Sequence, residues 1–258
     1  MATPFDRCII PLGSARDARG PGPRGGRLAQ TVSGVLFGMG GVLYDDSVWR
    51  RWLLRLLGQL GLHTNYRSFY RVWDREFLKA VQSGQTELCQ AFRIFLRSVG
   101  LTPAQIDEVE AACQARRRRL EESTRALPGV KATLARLYQS GLTLGVLANS
   151  EHPSEVLQER LERMGLGGLF QVVLSSLDLR RTKPDLACYR TALAALKLGS
   201  HEVAYVGNES DELAGAARVG LYTVGFNYDP DAQADAFIAR FEELAEVVEP
   251  RRPMAAAG

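Results

Sequence analysis

An α/β fold, a doubly wound parallel sheet with an inserted all-helical cap, is what the sequence predicts, on two observations. From Pro128 onward, short apolar runs alternate with amphipathic stretches of about a dozen residues, the pattern of strands joined by crossover helices. Ahead of that lies a single strand-like run ending at Val35-Leu36-Phe37, followed by some eighty residues of helical periodicity without a strand. Helices that interrupt an α/β chain after its first strand read as an insertion.

Taken in order, residues 1–30 are rich in Gly, Pro and Arg, and Gly20-Pro21-Gly22-Pro23 is their least foldable part. They bury too little apolar surface to offset the entropy of ordering, so a disordered leader is expected, or a start assigned too far upstream. The first strand ends at Phe37 and runs into Gly38-Met39-Gly40-Gly41-Val42-Leu43-Tyr44-Asp45. In the insertion, Val48, Trp52, Leu56 and Leu60 recur every four positions, widened by Leu53 and Leu57, until Gly61 supplies a stop. A second helix spans about 65–81 and a third about 86–98. The fourth opens at Thr102-Pro103, an N-cap followed by proline at the first helical position, and ends near Ser123.

The returning alternation predicts helices over 129–139, 151–164, 184–196 and 209–219, strands over 142–147, 171–174, 203–206 and 222–226, and a last amphipathic helix over 231–245. The organisation expected is a leader (1–30), an α/β core (31–45 and 126–246), a helical cap (46–125) and a flexible tail (247–258). No internal repeat is present.

Bulk properties exclude several function classes. Hydrophobic residues make up 46% and charged residues 24%, ordinary values for a soluble globular protein. No apolar run approaches the ~20 residues of a membrane span, and Asp6, Arg7 and Pro11 break up the only apolar run near the start, Cys8-Ile9-Ile10. The four cysteines are scattered without zinc or redox spacing, which predicts a reduced, cytoplasmic setting. Net charge is +3, and residues 1–30, with five arginines against two aspartates, account for it. The remainder is neutral, so neither a nucleic-acid nor a membrane partner is expected. The run Arg116–Arg119 is followed by Glu121 and Glu122 and reads as a solvated helix end. His63, His152 and His201 lack ligand spacing and read as surface or loop histidines.

Four segments at predicted strand ends carry a resemblance to a known family. They are Phe37-Gly38-Met39-Gly40-Gly41, Ala148-Asn149-Ser150 after an apolar strand, Arg181-Thr182-Lys183-Pro184-Asp185 opening a helix, and Gly207-Asn208-Glu209-Ser210-Asp211-Glu212 before a Gly-Ala helix. In order and pattern over about residues 32–246 the chain resembles the haloacid dehalogenase-like hydrolase superfamily, in its helical-cap branch of phosphoglycolate phosphatases and haloacid dehalogenases. The resemblance implies a Rossmann-like core and hydrolytic chemistry. A first aspartate would attack phosphorus or carbon to form a covalent intermediate, a second would be general acid and base, and Mg²⁺ would sit beside them.

This chain departs from that pattern at four chemical positions and keeps it at the third signature, Arg181-Thr182-Lys183-Pro184-Asp185, with Glu212 the best match to the later acid of the fourth. Gly38 and Gly40 stand where the resemblance implies nucleophile and acid/base, and glycine has no atom to attack, donate a proton or bind metal. Ala148 stands at the hydroxyl position, and Asn208 at the metal-ligand aspartate, where carboxylate charge is wanted. Asn149, Lys183 and Asn208 remain as ligand-binding candidates. Asn149 is favoured as a cap of the next helix, and Lys183 is balanced between an anion site and a pair with Glu209, Asp211 or Glu212. The spacing of Asn208 and Asp211 is similar to that of the family's metal-independent dehalogenases.

The expectation is therefore a pseudoenzyme without confident catalytic residues, metal or cofactor, binding a small anionic or phosphorylated ligand, or a protein through the cap. The alternative is an active hydrolase of a phosphate ester or haloacid, using Mg²⁺ and relocated acids drawn from Asp45, Asp211 and Glu212. For that purpose Asp45 and its neighbour Asp46 require a rebuilt turn.

Overall fold

The computed structural model of the protein describes residues 32–248. The expected leader and nearly all of the expected tail lie outside the described residues. Six strands form one wholly parallel sheet in the order β3-β2-β1-β4-β5-β6. They are β1 (Gly34–Phe37), β2 (Thr143–Ala148), β3 (Val172–Ser175), β4 (Val203–Gly207), β5 (Tyr222–Phe226) and β6 (Ala236–Ile238). β1 is buried along its whole length, as a central strand covered on both faces must be. Its alternate residues feed two cores. Val35 and Phe37 join Leu144, Val146, Val206 and Phe241 on one face. Leu36 joins Leu147, Tyr189, Val203, Tyr205 and Leu213 on the other.

Helices α6 (Val130–Gln139), α7 (Ser154–Arg163) and α11 (Leu244–Val248) cover the first face, and α9 (Leu186–Leu196) and α10 (Ser210–Val219) the second. Gly34 permits the tight start of β1, because a Cβ there would lie 2.9 Å from the Thr143 carbonyl and 2.5 Å from Leu198 Cδ1.

Between β1 and α6 the described chain is helical: α1 (Ser47–Gln59), α2 (Tyr66–Val72), a π-helical segment (Trp73–Leu78), α3 (Lys79–Gln82), α4 (Leu88–Ser98) and α5 (Pro103–Ser123). They enclose a third core of Leu53, Leu57, Phe69, Trp73, Phe95, Ile106 and Val109. In the π segment the Trp73 and Phe77 rings stack with centroids 5.9 Å apart, and both pack on Phe95. α5 starts as expected: the Gln105 amide donates to Thr102 Oγ1 and the Gln105 side chain accepts from the Thr102 amide. The inserted cap and the α/β class are as the sequence predicts.

Three expectations are corrected. The helix expected over 231–245 is instead β6, a 3₁₀ turn (Phe241–Glu243) and the short α11. Asp235 causes this by accepting from the Thr223 amide and hydroxyl, both at 2.8 Å, which fastens the segment beside β5. A short helix α8 (Ser176–Leu179), not expected, follows β3. Finally, within the run Arg116–Arg119, read as a solvated helix end, Arg116 is half-buried with its guanidinium 4.9 Å over the Trp52 ring, while Arg119 is exposed.

Candidate functional site

β1 lies between β2 and β4, so strand order reverses there and the carboxyl ends of the three strands bound a crevice. Gly38, Asn149 and Asn208 each follow one of these strands, which brings the separated motifs together. The segment after β1 is tightly tied. The Gly38 amide donates to the Val206 carbonyl at 2.8 Å, Leu43 N to Met39 O at 2.8 Å, and Gly41 N to Tyr44 O at 2.9 Å. Its glycines are close to their surroundings. A Cβ at position 38 would meet Val42 Cγ2 at 3.3 Å and the Tyr205 hydroxyl at 3.6 Å. One at position 40 would meet Asp46 Oδ2 at 2.7 Å, so the Asp46 carboxylate already covers the Gly40 backbone.

Of the neighbouring acids, Asp45 is committed elsewhere. Its Oδ1 accepts from the Ser47 amide at 2.9 Å and from the Ser47 hydroxyl, and its Oδ2 from Arg51 at 3.0 Å. Burial acts to raise its pKa, but the Ser47 bonds and Arg51 outweigh it and hold the carboxyl below the ordinary range. Asp46 keeps an accessible side chain in a wall of protein. Desolvation there raises its pKa despite the Arg50 charge, helped by the like charges of Asp45 and Asp74. Across the crevice, the cap's Arg50 makes a two-bond pair with Asp74 at 2.8 and 3.0 Å and lies over the Tyr70 ring.

The floor of the site is a buried polar knot. Lys183 and Glu212 are 3% and 4% exposed, and Lys183 Nζ lies 2.6 Å from Glu212 Oε2. The Tyr205 hydroxyl stands 3.0 Å from Lys183 Nζ and donates to Glu212 Oε2 at 2.8 Å. Asn149 completes the knot. Its Oδ1 accepts from the Lys183 amide at 2.8 Å, while Nδ2 donates to the Lys183 carbonyl (3.2 Å) and Glu212 Oε1 (3.1 Å). Asn149 therefore clamps the end of β2 to the Lys183 loop and to α10. The next helix, α7, has Pro153 at its N-cap, and its first amide, that of Ser154, donates to Asp178 Oδ2 at 2.8 Å and not to Asn149. The Tyr189 hydroxyl donates to the Glu212 carbonyl at 2.7 Å. Burial and the Glu212 charge raise the pKa of both tyrosines, so both remain neutral donors.

Tyr205 is the residue that the motifs do not reveal. It sits on the second face of β4, and its ring runs over Gly207, where a Cβ would lie 2.6 Å from Tyr205 Cε1. The available signals were a tyrosine inside an otherwise apolar strand, whose hydroxyl requires a buried partner, and a glycine two residues on along the same face.

The last strand end supplies Asn208, half-buried, whose Nδ2 lies 2.6 Å from where a Gly41 Cβ would be. Asp211 is exposed in the first turn of α10, one helical step away from the buried Glu212. Glu209 lines the crevice, and its pKa is raised to about 7, first by the charge of Glu212 and then by burial, against the lowering pull of Lys183 and with Asp229 and Asp74 adding to the rise. This donor set does not suit Mg²⁺, which prefers octahedral carboxylate-rich coordination. Positions 38 and 40 have no side chain, Asn208 is an amide directed at the Gly41 backbone, and Glu212 is occupied by Lys183. Among the described residues no three His, Cys, Asp or Glu groups are disposed to hold a metal ion. A separate hollow of about 430 Å³, between Tyr138, Leu142 and Phe170, lies at the amino ends of β2 and β3, away from all these groups.

The model of the family described as haloacid dehalogenase-like hydrolase matches residues 62–226. A phosphoglycolate phosphatase of Yersinia pseudotuberculosis is 29% identical over 137 residues, 50% of this chain and 58% of the relative, so the match spans little more than half of that enzyme. A ribulose-1,5-bisphosphate 5-phosphatase of Halopiger xanaduensis is 27% identical over 216 residues, 80% of this chain and 88% of the relative. The crystal structure of a dehalogenase superposes with a TM-score of 0.63 at 21% identity, covering 86% of this chain and all of that one, a likeness of fold. The strand order, the cap after β1 and the family match over most of the described chain agree: the protein belongs to the haloacid dehalogenase-like hydrolase family.

Proposed function

We propose that this member keeps the hydrolase fold as a binding scaffold and has lost hydrolytic turnover. One observation carries the reading: the site's lysine is already neutralised. Lys183 spends its charge on Glu212 and Tyr205 beneath the surface, and above it Gly38 offers no nucleophile. Losing a nucleophile alone costs about 10⁶ in turnover in a well-characterised protease. The same bonds count against a small phosphorylated anion at Lys183 and Asn149, since both side chains are engaged. The accessible charges at the crevice, Asp46 and Glu209, are acidic. A protein docking on the cap is the better-supported occupant, and Val48, Val72 and Ile94 are exposed apolar side chains there. No helix among the described residues is long and apolar enough to cross a membrane.

A second reading has one observation in its favour. Asp46, not Asp45, Asp211 or Glu212, places an accessible carboxylate over Gly40, and a hydrolase with relocated acids would use it. The curated relatives named above are phosphatases. The experiment is turnover of p-nitrophenyl phosphate and a panel of sugar phosphates, with and without Mg²⁺, by the full chain and its Asp46→Asn variant. The expected result is no turnover in either and no Mg²⁺-specific rise in melting temperature. Turnover that Asp46→Asn abolishes would replace the scaffold reading with the hydrolase one.

A further inference from the structure

The cap meets the core at two quite different places. One is covalent. The two chain crossings run side by side, with Tyr44 bridged antiparallel to Ala126 and the Leu127 amide donating to the Leu43 carbonyl at 2.9 Å. Arg160 of α7 clamps that pair by donating to the Tyr44 hydroxyl at 3.1 Å, with its guanidinium 4.0 Å from Glu121. These paired crossings lie side by side at one edge of the cap.

The other place is non-covalent and joins residues more than ninety positions apart in sequence. The Ser176 hydroxyl, 1% exposed, donates to the Gln82 carbonyl at 2.8 Å and accepts from the Ser150 amide at 2.9 Å, tying the end of α3 to the end of β2. Arg180 donates to the Gly84 carbonyl at 2.9 Å. Both backbones are shaped for that contact. Gly84 has φ +69°, and any side chain there would run into the Arg180 guanidinium. Arg180 itself has φ 55°, a left-handed conformation uncommon for a residue with a side chain. Leu177 packs beside the same glycine, and Ser83 between the two bonded carbonyls is buried.

We propose that Ser176 and Arg180 form a latch that holds the cap down over the strand-end crevice, and that releasing it lets the cap swing on the paired crossings. The latch acts on access to the crevice whether or not any chemistry occurs there. Its exposed member makes it testable without unfolding the protein. Arg180 is on the surface, so Arg180→Ala removes one charge-assisted bond and leaves the buried Ser176 contacts in place. Hydrogen exchange read by mass spectrometry on the full chain follows segments 38–46 and 207–210, which face the crevice, and 82–86 at the latch. Loss of one such bond should speed exchange there roughly three- to tenfold. Segments 143–148 and 203–206 inside the sheet should keep their rates. Arg180→Lys, which retains a donor, should return the crevice segments toward the rates of the unmodified protein. Unchanged exchange at 38–46 and 207–210 in Arg180→Ala, or an acceleration shared equally by the sheet segments, overturns the latch.

Discussion

Lys183→Met separates a structural lysine from one waiting for a ligand. In this fold the ammonium is 3% exposed and 2.6 Å from a carboxylate that is itself buried. Removing it leaves Glu212 charged and enclosed, with the Tyr205 hydroxyl and the Asn149 amide as remaining donors. Breaking a buried pair from one side costs about 3–5 kcal/mol, a large fraction of the ~5–15 kcal/mol that stabilises a typical fold. With a urea slope near the upper end of the usual ~1–3 kcal/mol/M, the midpoint should fall by about 1–2 M. Two probes locate the loss. Far-UV circular dichroism follows the whole chain, while the tryptophans Trp49, Trp52 and Trp73 all lie in the cap and report it alone. The dichroism transition should move and the fluorescence transition should move less. The double variant Lys183→Met/Glu212→Gln removes both charges and keeps an acceptor for Tyr205 and Asn149, so it should recover most of the loss. An unchanged or raised midpoint in Lys183→Met would refute the reasoning, because a lysine kept ready for an anion is relieved, not missed, when it is removed.

Two further outcomes follow from the same geometry. Glu209 has its folded pKa raised from the ordinary 4.5 to about 7, so the native state holds its proton where the unfolded chain has lost it. Stability from this group is complete below about pH 4.5 and is lost as pH rises through 7. Because the side chain is solvent-accessible the slope is shallow. Melting temperatures measured across that range should show the decline in the unmodified protein and not in Glu209→Gln; an identical profile in both would contradict the assignment. Gly215→Ala would ordinarily gain up to about 1 kcal/mol inside a helix. Here its Cβ would lie 2.9 Å from Pro184 Cβ, 3.0 Å from the Tyr189 hydroxyl and 3.1 Å from the Pro184 carbonyl. Overpacking of about 1–3 kcal/mol should therefore prevail, and urea unfolding that shows a net gain would contradict it.

The sheet was legible because buried parallel strands are apolar runs between helices, and β1, β2, β4 and β5 all read that way. Residues 231–245 were not, because Ala234, Phe237, Ile238 and Phe241 also satisfy a helical spacing. It took the long-range bonds of Asp235 to Thr223 to make a strand of them, and period alone carries no trace of those. The motifs all fall at or just beyond strand ends, but they could not say which way adjacent acids point. Asp45 and Asp46 are neighbours, and one caps a turn while the other covers Gly40. Asp211 and Glu212 are neighbours on α10, and one is solvated while the other holds Lys183.

Tyr205 explains why the motif changes belong together. A lysine buried at this depth requires a counter-charge whatever residue stands at position 38. With glycine there, no carboxylate arrives from β1, and the charge must be met from below. Glu212 meets it, and the Tyr205 hydroxyl, reaching past Gly207 to within 3.6 Å of where a side chain at 38 would begin, binds both. Restoring an aspartate at position 38 alone would thus bring a second carboxylate to a lysine already neutralised. On the scaffold reading proposed above, the floor of the site opposes hydrolysis as much as the glycine at position 38 does.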